Sequence, residues 1–86
     1  MIFSLPVSVT QKNAVQLERD PAINFSLLKK VDCADLIDFD STVLTVLLAW
    51  QKKLHADGRV IAIDNAPEKL KVLAGVYGVA ELLGLS

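Results

Sequence analysis

Histidine, cysteine and glycine are scarce in this chain, and each scarcity removes a class of chemistry. One histidine, His55, and one cysteine, Cys33, among 86 residues provide no Cys/His set with metal-ligand spacing and no internal disulfide, which needs two thiols. Cys33 is therefore expected to be a buried small hydrophobe, and His55 to meet the negative end of a helix dipole. The four glycines, Gly58, Gly75, Gly78 and Gly84, fall at or near predicted helix ends. None belongs to a Walker-type or dinucleotide-binding loop. Net charge is −1, and the nine Lys and Arg are scattered apart from the doublets Lys29-Lys30 and Lys52-Lys53. That leaves too little positive potential for a nucleic-acid footprint. The longest apolar run, Val43 to Trp50, contains Thr45 and ends at Gln51-Lys52-Lys53, well short of the ~20 residues that cross a bilayer. The start of the chain has no basic n-region and breaks at Pro6, so no signal peptide is expected. These features predict a cytoplasmic protein without metal or cofactor.

What is present is enough apolar surface for one small domain over residues 1–86. The chain is 52% hydrophobic and 22% charged, with a mean hydropathy of +0.42. No internal repeat, low-complexity segment or linker interrupts it. The local signals predict strands over Ile2 to Leu5, Lys30 to Ala34 and Arg59 to Asp64, the last apolar on both faces and buried. They predict helices over Gln11 to Arg19 with Thr10 as N-cap, and from Ser41 or Thr42 to Ala56 with Gly58 in a left-handed C′ position. A third helix starts at Asn65-Ala66-Pro67-Glu68, with Asn65 capping and Glu68 completing a capping box, and closes at Gly78. One last short turn follows over Val79 to Leu85. Strands alternating with helices argue an α/β fold with a small, mostly parallel sheet and three to four helices.

The segment Asp40-Ser41-Thr42-Val43-Leu44 places two small hydroxyls at a helix start. Free N–H groups and the positive end of the dipole there favour an anion, a cap or a partner's carboxylate. Asp32, Asp35, Asp38 and Asp40 precede it, but the spacing lacks the glycine and terminal glutamate of a calcium loop. Along the helix, Leu44, Leu47, Leu48, Gln51 and Leu54 share one arc, and Val43, Val46 and Trp50 the adjoining one. The second arc either packs on neighbouring helices or forms an exposed docking stripe anchored by Trp50. No base–nucleophile pair accompanies these residues, which favours a binding or regulatory module over an enzyme.

At this point the chain resembles the STAS domains (sulphate transporter and anti-sigma-factor antagonist). The resemblance rests on Val31 to Trp50, Gly58-Arg59-Val60-Ile61-Ala62-Ile63, Ala66-Pro67-Glu68-Lys69-Leu70 and Val72-Leu73-Ala74-Gly75-Val76-Tyr77-Gly78-Val79. The entry Leu5-Pro6-Val7-Ser8-Val9-Thr10 and Asn13-Ala14 are also similar to short members. The family's Asp–hydroxyl–Gly–Leu signature stands here as Asp40-Ser41-Thr42-Val43-Leu44. The resemblance implies the STAS-like fold, with a shortened N-terminal hairpin that leaves room for about one strand. An exposed sheet edge would follow, and with it a homodimer.

The tail is similar to the MlaB-like branch, whose members are cytoplasmic accessory subunits that bind the ATPase of a phospholipid-transporting ABC transporter at the inner membrane. That branch implies a docking surface of Asp40, Ser41, Val43, Val46 and Trp50, touching the membrane only through the partner. The antagonist branch instead implies an anti-sigma kinase as partner and a phosphorylation switch, with Ser41 and Thr42 as candidates. Val43 departs from the signature's small residue, and its bulk is expected to crowd a kinase. A nucleotide-binding role, ascribed to some STAS proteins, would have only Arg59 and a few lysines to draw on.

Overall fold

The computed structural model describes residues 1–85. Its elements run β1 (Ile2–Ser4), β2 (Ser8–Val9), α1 (Ala14–Glu18), β3 (Lys30–Asp32), β4 (Asp38–Phe39), α2 (Thr42–His55), β5 (Ala62–Asp64) and α3 (Glu68–Val76). Every strand pair is parallel. One sheet has the order β1-β3-β5, and β2 pairs with β4 in a separate two-stranded sheet. The registers Ile2↔Lys30 and Lys30↔Ala62 set the three-stranded sheet level at one edge.

The second small sheet corrects the expected single N-terminal strand. Pro6 has no N–H to give to a ladder, and the chain leaves the first sheet there. Leu5 donates its N–H to the Asp32 carbonyl at 2.9 Å, and Val7 then receives the N–H groups of Ile37 and Asp38 at 2.8 and 2.9 Å. The entry segment thus spans two sheets and does not fold back as a hairpin.

The expected buried strand from Arg59 to Asp64 is also shorter and more exposed. Only Ala62–Asp64 is a strand, with Ala62 exposed and Ile63 and Asp64 half-buried. Two local bonds hold the preceding residues to α2. Arg59 donates its N–H to the Leu54 carbonyl at 3.0 Å, and Ile61 donates to Gln51 Oε1 at 2.7 Å. The strand is also an edge strand, so it is covered less than a central one.

α2 forms where the apolar arcs, the leucines and the terminating glycine agree. Gly58 has φ 72°, and its N–H reaches the His55 carbonyl at 2.8 Å while Arg59 closes on Leu54. This is a Schellman end, which needs a left-handed residue at C′. Gly78, φ 71°, closes α3 in the same way, with Val79 donating to the Ala74 carbonyl at 2.9 Å. The other two predicted starts differ. α1 begins at Ala14 because Thr10 and Asn13 first form a closed turn, Asn13 Oδ1 accepting from the Thr10 N–H at 2.9 Å. Asn65, expected to cap α3, sits at φ 56° and donates its Nδ2 to Asp32 Oδ1 at 3.0 Å. Neither Asn65 nor Glu68 forms the expected capping box: Pro67 stands at the N-cap, with no side-chain cap bond.

The buried side chains form one hydrophobic cluster, and among the described residues no polar or charged side chain is buried. Trp50 is at its centre. Its ring meets Phe3 of β1 edge-on at 5.4 Å and 81°, and its Nε1 donates to the Glu18 carbonyl at the end of α1 at 3.2 Å. No helix among the described residues is long and apolar enough to cross a membrane.

Candidate functional site

The loop from β4 into α2 sets Asp40, Ser41 and Thr42 in an arrangement that differs in one respect from a hydroxyl-capped helix. Ser41 already has helical angles, φ −63° and ψ −14°, and makes no side-chain cap bond. Asp40 is the residue that caps. Its Oδ1 accepts the Thr42 N–H at 2.9 Å and the Thr42 hydroxyl as well. Its Oδ2 accepts the Gln11 N–H at 3.3 Å, tying the β2–α1 connection to the same point. The Thr42 hydroxyl foremost, then the Thr42 and Gln11 N–H groups, hold the Asp40 carboxyl below its ordinary value. A carboxylate is a natural N-cap because it accepts from the free amides and complements the positive helix end.

The consequence is a division of labour between the two hydroxyls. Thr42 is occupied by Asp40. Ser41 is half-exposed and free to meet a ligand or partner. Ser41 also stands at the mouth of a surface cavity of about 190 Å³, lined by Leu44, Thr45, Leu48, Tyr77 and Val79. The Schellman end at Gly78 builds the far wall, since it turns Val79 back toward α3. Leu44 and Leu48 are visible in the sequence as an arc of α2. The contribution of Tyr77 and Val79 is not, because it depends on where α3 ends in space.

The apolar stripe expected to flank Ser41 is not on the surface. Val43, Val46 and Trp50 are all 0% exposed. α2 has α1 against it on one side and Phe3 of β1 against Trp50, so the second arc is core as well. Of the expected docking residues, Asp40 and Ser41 remain at the surface. Val43 likewise crowds nothing outside: its side chain points into the core, where bulk is an advantage.

Three of the four aspartates have separate local tasks. Asp32 Oδ1 accepts the Ala34 N–H at 2.9 Å and the Asn65 amide. Asn65 foremost, then Ala34, lower its pKa, with Lys30 adding to the effect. Asp38 accepts from the Ser8 hydroxyl at 3.5 Å, Asp40 caps α2, and Asp35 is exposed. Among the described residues no group of three His, Cys, Asp or Glu side chains is placed to hold a metal ion.

Three of the cations are also engaged. The Arg59 guanidinium donates to the carbonyls of Ser26, at 3.1 Å, and Phe25. Lys53 lies over the Phe25 ring at 4.5 Å and Lys69 over the Phe39 ring at 5.3 Å. None of the three is left as a free phosphate ligand.

The domain is thus a parallel α/β arrangement with a carboxylate-capped helix start after a short strand. Residues 26–84 match the family model described as Mlab, STAS domain, more than half of the chain, and the chain belongs to this family. No curated protein and no solved structure matches it.

Proposed function

We propose that this STAS domain is a non-catalytic interaction module of the MlaB-like type. In this reading it is an accessory subunit that binds and regulates the ATPase of a phospholipid-transporting ABC transporter. It works in the cytoplasm and reaches the inner face of the inner membrane only through that partner. The observation that carries the reading is the free Ser41 hydroxyl at the mouth of an apolar cavity, on a helix start whose capping is already done by Asp40. A side chain released from a structural task, beside exposed apolar surface, suits a protein contact.

The antagonist alternative fits the site less well at Thr42. A phosphate there adds about 1.5 to 2 negative charges next to a carboxylate that already holds the Thr42 hydroxyl. A nucleotide lacks both a glycine-rich cradle and a free cation of the kind Arg59 would have provided.

The test is binding to the partner ATPase, identified by co-purification from the native cell. Ser41→Asp weakens the complex about tenfold or more, equivalent to about 1.4 kcal/mol, while thermal stability stays close to that of the unaltered protein. Unchanged binding would show that Ser41 lies outside the interface. Recovery of a kinase with no ABC-transporter component would favour the antagonist reading instead.

A further inference from the structure

α1 is fastened to the α2 side at both ends, and the two fastenings differ in kind. At its end, the Glu18 carbonyl accepts from Trp50 Nε1 at 3.2 Å, and Trp50 is 0% exposed. At its front, Gln11, in the turn that leads into α1, donates its N–H to Asp40 Oδ2 at 3.3 Å. Asp40 stands at the surface, beside Ser41. α1 itself has five residues, too few to keep a helix without tertiary contacts.

The Thr10–Asn13 turn is closed by its own bonds. Asn13 Oδ1 accepts the Thr10 N–H at 2.9 Å, and Thr10 Oγ1 accepts the Lys12 N–H at 3.3 Å. The Thr10 carbonyl accepts the Asn13 and Ala14 N–H groups at 3.1 and 2.9 Å. Behind the turn, Asn13 Nδ2 donates to the Ser8 carbonyl at 2.8 Å, and Val9 is buried in the core. The turn is thus a stiff unit, with Gln11 and Lys12 exposed. Among the described residues, the hydrogen bond that joins it to the β4–α2 loop is the one from Gln11 to Asp40.

Asp40 makes that bond with one oxygen while Thr42 engages the other. Oδ1 accepts the Thr42 N–H at 2.9 Å and the Thr42 hydroxyl. Two bonds on Oδ1 fix the plane of the carboxylate, and that plane sets where Oδ2 points. The Thr42 hydroxyl therefore orients an oxygen that it does not bond. A carboxylate has two acceptor oxygens and an amide has one, so Asp holds the helix start and the turn together where Asn holds one of them. The surface bond can open by a local fluctuation, whereas the Trp50 bond opens only with the core.

We infer that Asp40 is a latch that couples the Ser41–Thr42 helix start to the Thr10–Asn13 turn. A group that takes the Asp40 carboxylate or the Thr42 hydroxyl frees the front of α1, while Trp50 keeps its end in place. The coupling is a property of this chain alone and holds whether or not Ser41 meets a partner.

Amide hydrogen exchange of the full chain, resolved by nuclear magnetic resonance under native conditions, reads the two ends separately. Gln11 reports the front of α1. Arg19, whose N–H is bonded to the Val15 carbonyl at 3.2 Å, reports its end. Thr42→Val keeps the size and the N–H of the residue and removes only the hydroxyl. It is expected to speed exchange at Gln11 several-fold and to leave Arg19 unchanged. Asp40→Asn should speed Gln11 further, Trp50→Phe should speed Arg19 and not Gln11, and Ser41→Ala should leave both as they are.

Unchanged exchange at Gln11 in Thr42→Val would overturn the inference. A joint rise at Gln11 and Arg19 in that variant would do the same, since α1 would then open as one unit. So would a rise at Gln11 in Ser41→Ala or Trp50→Phe as large as in Thr42→Val.

Discussion

Trp50 Nε1 donates a hydrogen bond to the main-chain carbonyl of Glu18 at 3.2 Å. The bond joins the middle of α2 to the last residue of α1, across 32 positions of sequence. It satisfies the one polar atom of a side chain that is otherwise wholly surrounded by apolar groups. Trp50 is thus an organiser of the core and not a hot spot of the surface.

Trp50→Ala should cost about 3 to 5 kcal/mol, the range for emptying a buried aromatic site. Trp50→Phe should cost less, about 1 to 3 kcal/mol, because it mainly leaves the Glu18 carbonyl without its donor. Urea unfolding followed by far-ultraviolet circular dichroism measures both. A Trp50→Phe loss near zero would mean that the hydrogen bond contributes nothing.

The division of labour between Asp40 and Ser41 predicts opposite sensitivities. Asp40→Ala removes the acceptor of the Thr42 N–H and hydroxyl and should lower the melting temperature clearly. Ser41→Ala removes a hydroxyl with no cap bond and should change stability by no more than about 0.5 kcal/mol. The reverse ranking in thermal melts would restore Ser41 as the cap.

Asp40 and Asp32 also set the acid limb of stability. Both carboxyls are held below their ordinary value in the folded protein. Their contribution is therefore fully present above the unfolded value, about 3.9, and is lost as pH falls through the lower folded value. Stability measured by urea unfolding should be flat from about pH 7 to 5 and fall below about pH 4. Asp40→Asn should flatten part of that fall. An acid limb unchanged in Asp40→Asn and Asp32→Asn would contradict this assignment.

Cys33 should be unreactive while the protein is folded. It is buried, and burial foremost, helped by the Asp32 and Asp64 charges, pushes its thiol up to about 11. At neutral pH almost no thiolate forms, and reagent has no access. Labelling by a disulfide reagent should proceed at the rate of unfolding and become fast in denaturant. Rapid labelling of the native protein would show that the region opens locally.

Two glycines should respond with opposite sign. Gly58→Ala forces a side chain into φ 72° and should cost about 1 to 2 kcal/mol. Gly75 lies within α3, where an added methyl group would meet no other atom within 4 Å, so Gly75→Ala should gain about 0.5 kcal/mol. Chemical unfolding of the pair isolates backbone conformation from packing.

Much of the architecture is legible in the residues alone. The ends of α2 can be placed to within a residue because a Gly-terminated apolar repeat and two small hydroxyls after acidic turn residues agree. The family signature at Asp40 to Leu44 is equally local. The β2–β4 pair is not legible: two residues per strand carry no periodicity, and their pairing joins positions 30 apart, Ser8 to Asp38 and Val9 to Phe39. The length of β5 escapes the pattern because Arg59 and Ile61 spend their N–H groups on Leu54 and Gln51, a competition between partners that a strand pattern does not record.

Short-range patterns of apolar, turn and capping residues suffice for the α/β order, the family and the place of its signature. Packing in three dimensions settles which apolar arc of α2 is core and which side stays at the surface. Val43, Val46 and Trp50 have the same hydrophobicity whether covered or not, and only the position of α1 and Phe3 buries them. The folded loop likewise makes Asp40 the cap and leaves Ser41 free, because that choice turns on one residue's backbone angles at the helix start.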